Sequence, residues 1–302
     1  MHNSGLYNKS LNGKHYFGDL IQQLNRNMRG LFEKIQEATS YIQSVCSIAP
    51  KTAIIAGTGL TNLQNHIENA VKIPYSDIPH FKTSTVKSHS GQLILGHIRN
   101  KPVVLMSGRM HYYEGYSMQE VTFPVRVMHS LGADQIFITN ASGGINADYQ
   151  AGDLVILKDH INLMPDNPLR GWNDDRLGDR FPDMMDTYHL PFRTFAKSFC
   201  EEKGYGIHEG VYVGFAGPNL ETPAEYKFLN MIGGDMVGMS TVPEVLTAKH
   251  AQMKIAVISI ISNKCFPLEY IQETSVEDVI RVVNQNIPKA IDLIEHLIEA
   301  FG

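Results

Sequence analysis

Apolar residues recur at helical spacing at Leu31, Phe32, Ile35, Ala38, Tyr41, Ile42 and Val45. That spacing predicts an amphipathic helix ending ahead of Pro50. The pattern then changes to short apolar runs at Thr52–Ala56, Gln92–His97, Val103–Met106, Gln135–Thr139, Leu154–Leu157, Gly210–Val213 and Ile255–Ile261. Their length and β-branched content predict strands. Arg99-Asn100-Lys101, between two of them, predicts a hairpin turn. Helical patterns separate several of the others. This order predicts an α/β fold of one domain, with a mixed, largely parallel central sheet flanked by helices in three layers.

Helix starts are marked by capping-box spacings at Ser117/Glu120, Thr222/Glu225, Thr241/Glu244 and Ser275/Asp278. Pro223 falls at a first helical position, where its missing N–H costs nothing. The last helix carries Val276, Val279, Ile280, Val283, Ile287, Ile291, Ile294 and Ile298 on one stripe. Pro288 within it predicts a kink or break. Residues 1–25, rich in Asn, Lys, Gly and His, read as a loose arm, and 26–302 as the folded domain. The polar stretch 162–191 is too long for an ordinary connection and reads as a functional loop or lid.

Composition narrows the function classes. The 302 residues are 43% hydrophobic and 19% charged, which excludes disorder and coiled coil. A net charge of −5 gives no basic excess for nucleic acid. The isolated cysteines, Cys46, Cys200 and Cys265, offer neither a disulfide framework nor a zinc site. With no signal-peptide or membrane-spanning run, the expected setting is the cytoplasm.

Candidate chemistry gathers where strands give way to loops, the usual ligand position in open α/β sheets. Gly57-Thr58-Gly59 follows a strand and could turn backbone N–H groups and a hydroxyl toward an anion, or be a tight turn. Asn62 stands in place of a third glycine, so a dinucleotide fingerprint is missing. Gly108–Tyr116 contains Arg109, whose planar fork suits phosphate oxygens, together with His111 and Tyr113. His89 is a lone histidine. Asn140-Ala141-Ser142-Gly143-Gly144 offers either close backbone approach to a ligand or a plain turn. Glu221 precedes a capped helix and could serve its dipole or accept from a heterocycle. Val237-Gly238-Met239-Ser240-Thr241 pairs apolar surface with hydroxyls. Asn263 could shape a turn, or donate to a ring nitrogen.

In order, GRMHYYEGY, VTFPVRVMHSLG, TNASGG, DHINL, NPLRGWND, GDRFPDM, AGPNLET and VGMSTVPEV resemble the trimeric purine nucleoside phosphorylases, a family shared with methylthioadenosine phosphorylases. The resemblance runs from Lys51 to the last helix. It implies reversible, cofactor-free phosphorolysis of purine nucleosides. Phosphate would meet Thr58, His89, Arg109, His111, Ala141 and Ser240, with His89 also assisting catalysis. Tyr113 and Met239 would flank the ribose. Ala141, Leu220, Glu221, Val237 and Asn263 would surround the purine, Glu221 and Asn263 acting in catalysis. The family is homotrimeric, and each active site borrows an apolar residue from a neighbouring subunit, a role for which Met164 is the candidate. Asn263 points to 6-oxopurines, because members preferring 6-aminopurines carry Asp there. Thr58 and Val276 keep 5′-methylthioadenosine phosphorylase as the alternative. A non-catalytic nucleoside-binding protein and a nucleotide-dependent oxidoreductase are the readings from other classes.

Overall fold

The computed structural model describes residues 30–57, 60–83 and 91–302. The expected arm, Thr58 and His89 lie outside the described residues, as does the side chain of Val276. Helix α1 covers 30–45. It is followed by strands β1 (Thr52–Ala56), β2 (Glu68–Pro74), β3 (Gln92–Ile98) and β4 (Lys101–Ser107). Helix α2 (Met118–Ser130) leads to β5 (Gln135–Gly144) and β6 (Leu154–Asn162). Helix α3 (Leu190–Lys203), β7 (Ile207–Gly214), α4 (Pro223–Met231), β8 (Met236–Gly238), α5 (Val242–His250), β9 (Lys254–Lys264) and α6 (Val276–Phe301) complete the order.

The nine strands among the described residues form one mixed sheet, in the order β2-β3-β4-β1-β5-β8-β7-β6-β9. A further β5–β9 pairing closes the β5-β8-β7-β6-β9 segment into a ring. Strands β4, β1, β5 and β9 run parallel. Every residue of β1 is buried, as both faces of a helix-covered parallel strand must be. On one face Ile35 and Ile42 of α1 pack with Val121 and Val125 of α2 and with Val245 of α5. On the other, Phe192 of α3 packs with Ile291, Ile294 and Leu297 of α6. A smaller core under α4 joins Val213, Tyr226, Leu229, Val237 and Cys265.

All seven expected strands are present, and β3–β4 is a hairpin turning through Arg99 and Asn100 at positive φ. Two strands carry no apolar run. Of β2, only Ile73 is buried, and β8 has three residues. Strands β5 and β9 continue beyond their apolar runs, so Asn140–Gly144 and Asn263–Lys264 are paired strand rather than turns. Their register shifts between Ser142 and Gly143, a bulge in the strand's functional end.

The capping boxes at Ser117 and Thr222 form, and the Ser275 side chain caps α6. The one expected at Thr241 does not form. Its Glu244 turns inward to Arg109 instead. Helix α6 runs unbroken through Pro288. The ring is exposed, while Ile287 and Ala290 beside it are buried. Water can therefore satisfy the carbonyl that proline leaves without a donor, and packing holds the helix together.

Candidate active site

The carboxyl ends of β1, β4, β5 and β9 meet the end of β8 around one cavity of about 420 Å³. Gly57, Arg109, His111, Ala141 and Ser240 form part of its wall. Gly57 must be glycine, because a Cβ there would overlap the Thr139 carbonyl oxygen and crowd the Arg109 guanidinium. Arg109 is only 1% exposed. Its Nη1 donates to Glu244 Oε1 at 3.2 Å, and its Nη2 donates to the Thr139 carbonyl. The second Glu244 oxygen, Oε2, is buried without a partner.

Thr241, buried between Ser240 and α5, has φ +73°. A β-branched residue rarely takes that conformation, and such strain persists where surrounding contacts over-determine it. Its hydroxyl accepts from Asn140 Nδ2 at 2.9 Å and lies 3.1 Å from Ser240 Oγ. Asn140 Oδ1 in turn accepts from Ser259 Oγ at 2.6 Å. These bonds hold Ser240 at the cavity wall.

His111 is oriented by Glu114, whose Oε1 lies 2.8 Å from the His111 backbone nitrogen and 2.9 Å from Nδ1. The imidazole stacks on the Tyr113 ring with centroids 4.7 Å apart. Burial, aided by the Glu114 charge, pushes the Tyr113 phenol up to about 12. It therefore stays protonated at neutral pH and can donate to a hydroxyl.

The remaining wall carries Leu220, Glu221, Tyr226, Val237, Met239 and Asn263. Glu221 is 8% exposed, and its Oε1 is buried without a hydrogen-bond partner. Burial raises its carboxyl above the ordinary range, opposed by bonds from its own backbone and from Tyr226. A buried acceptor without a donor is costly, so a ligand N–H there would recover the lost bond. Asn263 Oδ1 accepts from Ser262 Oγ at 2.7 Å, and Nδ2 donates to Cys265 Sγ at 3.1 Å. One amide hydrogen is left for a ligand. Leu220 is 54% exposed and leaves its side of the wall open.

Every expected contact residue within the described part of the chain thus lies on this cavity. Residues 162–191 supply none of its wall, and Met164, the candidate for a neighbouring subunit's site, lies beside Gly214 in its own chain. The supporting residues Glu114, Asn140, Tyr226, Thr241, Glu244 and Ser262 were not singled out from sequence. Glu114, Asn140 and Thr241 sit inside the motifs, and Ser262 bonds its neighbour Asn263, but the contacts that give Asn140 and Glu244 their purpose cross long sequence separations. Among the described residues, no group of His, Cys, Asp and Glu is placed to hold a metal ion, and no helix is long and apolar enough to cross a membrane.

Residues 51–299 match the model of the phosphorylase superfamily. Purine nucleoside phosphorylase 1 of Geobacillus stearothermophilus is 51% identical over 229 residues, covering 76% of this chain and 84% of that protein. A crystal structure of isoform 2 of purine nucleoside phosphorylase from Schistosoma mansoni, in complex with cytosine and ribose-1-phosphate, matches with a TM-score of 0.86 at 38% identity. That match covers 90% of this chain and 97% of the other. A Schistosoma mansoni purine nucleoside phosphorylase in complex with inosine matches with a TM-score of 0.85 at 38% identity, over 89% and 97% of the two chains. By sequence along most of its length and by the course of its backbone, the chain belongs to the phosphorylase superfamily, among the purine nucleoside phosphorylases.

Proposed function

We propose that the protein catalyses reversible phosphorolysis of 6-oxopurine ribonucleosides and deoxyribonucleosides such as inosine and guanosine. The products are the free base and (deoxy)ribose 1-phosphate, as purine salvage requires. No cofactor takes part, and inorganic phosphate is the co-substrate. The observation that carries this reading is the composition of a single cavity. It joins a partnerless buried carboxylate oxygen and a free amide hydrogen, suited to a purine, with an arginine, a histidine and a serine hydroxyl, suited to phosphate.

In the reaction, the C1′–N9 bond breaks and its electron pair leaves with the purine. Asn263 Nδ2–H donates to N7 as negative charge develops there, an electrostatic contribution of about 3 kcal/mol. Glu221 Oε1 accepts from N1–H. The sugar becomes cationic, and a phosphate oxygen attacks C1′. Arg109, His111, Ser240 and the Ala141 backbone hold that phosphate, together with Thr58 and with His89, which also assists catalysis. Tyr113 and Met239 flank the ribose, while Ala141, Leu220 and Val237 pack against the base. Confining both substrates in one cavity replaces an encounter in water by a positioned attack. Adenine has no N1–H and would leave Glu221 unpaired, so binding should discriminate against it.

The working assembly is a homotrimer, whose neighbouring subunit closes the open side of the site. The setting is cytoplasmic, which accords with three buried thiols and no disulfide. Base release from inosine, guanosine, adenosine and 5′-methylthioadenosine, each with and without phosphate, tests the function. Phosphate-dependent release from inosine and guanosine is expected. Release mainly from methylthioadenosine would assign the chain to the alternative activity, and binding without turnover to a nucleoside-binding protein.

A further inference from the structure

We infer that Ser259, acting through Asn140 and Thr241, is a positioning residue that sets the direction of the Ser240 hydroxyl and so makes it a donor to a bound phosphate. The inference rests on the functional reading above and adds a residue behind the same site. Ser259 lies on β9, in register with Asn140 on β5, and takes no part in the cavity wall. Ser259, Asn140 and Thr241 are all buried, so their polar atoms must find partners within the protein. Ser240, half-buried, ends the line at the cavity.

The direction of this line follows from its protons and lone pairs. Ser259 Oγ donates to Asn140 Oδ1 at 2.6 Å, which fixes the amide with its nitrogen toward Thr241. Asn140 Nδ2 donates to Thr241 Oγ1 at 2.9 Å, and Arg109 Nη1 donates to the same oxygen at 3.5 Å. A hydroxyl has two lone pairs and one proton. With both lone pairs taken, Thr241 donates to its remaining neighbour, Ser240 Oγ, at 3.1 Å. Ser240 accepts there, and its own proton is left for the cavity, where phosphate offers acceptor oxygens. The Arg109 charge on Thr241 Oγ1 polarises the line in the same sense. The left-handed backbone of Thr241, costly for a β-branched residue, is the conformation in which its hydroxyl meets both Asn140 and Ser240. The opposite sense requires the Asn140 amide to turn over. Thr241 would then donate to Asn140, Ser240 would donate to Thr241, and the Ser240 lone pairs would face the anion. The Ser259 proton would be buried with no acceptor among the described residues, and that cost holds the line in its first sense.

Ser259→Ala removes the proton that fixes the amide and leaves the cavity wall as it is. The dissociation constant of inorganic phosphate, measured by calorimetry without nucleoside, should rise about ten-fold, the scale of one hydrogen bond to a charged group. KM for phosphate should rise with it while KM for inosine stays at the wild-type value. A purely structural role would raise both. Ser259→Cys keeps the side chain's shape with a weaker donor, so its phosphate affinity should fall between the two. Ser240→Ala has no hydroxyl to direct, so adding Ser259→Ala to it should weaken phosphate no further. Phosphate binding also separates this inference from the functional reading. A wild type that binds phosphate in a Ser259-dependent way but does not turn inosine over would overturn the reading and keep the inference. Wild-type phosphate affinity in folded Ser259→Ala or Ser259→Cys would overturn the inference. So would a Ser259→Ala loss that is equal with and without the Ser240 hydroxyl.

Discussion

In the proposed reaction Arg109 would meet two counter-charges, and they differ in kind. Glu244 neutralises it permanently within the protein, whereas phosphate would do so only when bound. Glu244→Gln keeps the volume and an acceptor but removes the charge, leaving a buried guanidinium uncompensated. Breaking a buried pair in this way is expected to cost about 3 kcal/mol. Phosphate should recover part of that loss, so its addition should raise the melting temperature of Glu244→Gln by more than that of the wild type. An equal phosphate shift in both proteins would separate Arg109 from phosphate binding. At the other end of the site, Asn263→Ala should lower inosine turnover by about 100- to 1,000-fold if the amide stabilises the departing base. Near-normal turnover would remove Asn263 from that role. The residues that face the cavity were legible in the sequence because they sit in compact motifs at strand ends. The residues that hold them were less so. Glu244 has a ready local role in the Thr241 capping pattern, and only the fold, which brings α5 against Arg109, gives it another.

At the scale of elements, apolar runs betrayed the strands that needed burial on both faces and missed those that did not. Strand β2 is an edge strand with mostly exposed side chains, and β8 is too short for any period to emerge. Helix α6 resisted the expectation at Pro288 because its buried stripe outweighs one missing hydrogen bond. The stretch 162–191 is anchored by packed elements. Arg126 of α2 donates to His250 Nδ1 at 3.3 Å, and His250 Nε2–H of α5 donates to Asn173 Oδ1 at 3.2 Å. This arrangement needs neutral histidine. Burial, reinforced by the Arg126 charge, pushes His250 down to about 4, against roughly 6.5 for an unfolded histidine. The unfolded chain therefore binds the proton first as pH falls. Stability from this group is fully present above about pH 6.5 and is lost progressively toward about pH 4. Urea midpoints measured at pH 7.5 and pH 5 should fall in the wild type, and fall less in His250→Gln. Equal slopes would place the acid sensitivity elsewhere.

At the scale of the whole molecule, apolar surface stays exposed among the described residues. Phe181 is 87% exposed and Met185 92%, both in the stretch that supplies nothing to the cavity of its own subunit. Leu220 stands half-open on the cavity wall, so a nucleoside bound there would keep part of its surface in water. Water at the reacting centre weakens every electrostatic contact that the phosphorolysis mechanism depends on. A neighbouring subunit seated over that opening would both bury apolar surface and dry the site. Single-chain sequence patterns carry little of this, because a residue that packs against another copy looks like an exposed apolar residue of its own. For the proposed homotrimer, sedimentation should give a mass of about three chains. Specific activity should also fall on dilution, in step with dissociation of the trimer. Dissociation that leaves turnover of inosine unchanged would show that each chain completes its own site, and the apolar loop would then need another purpose.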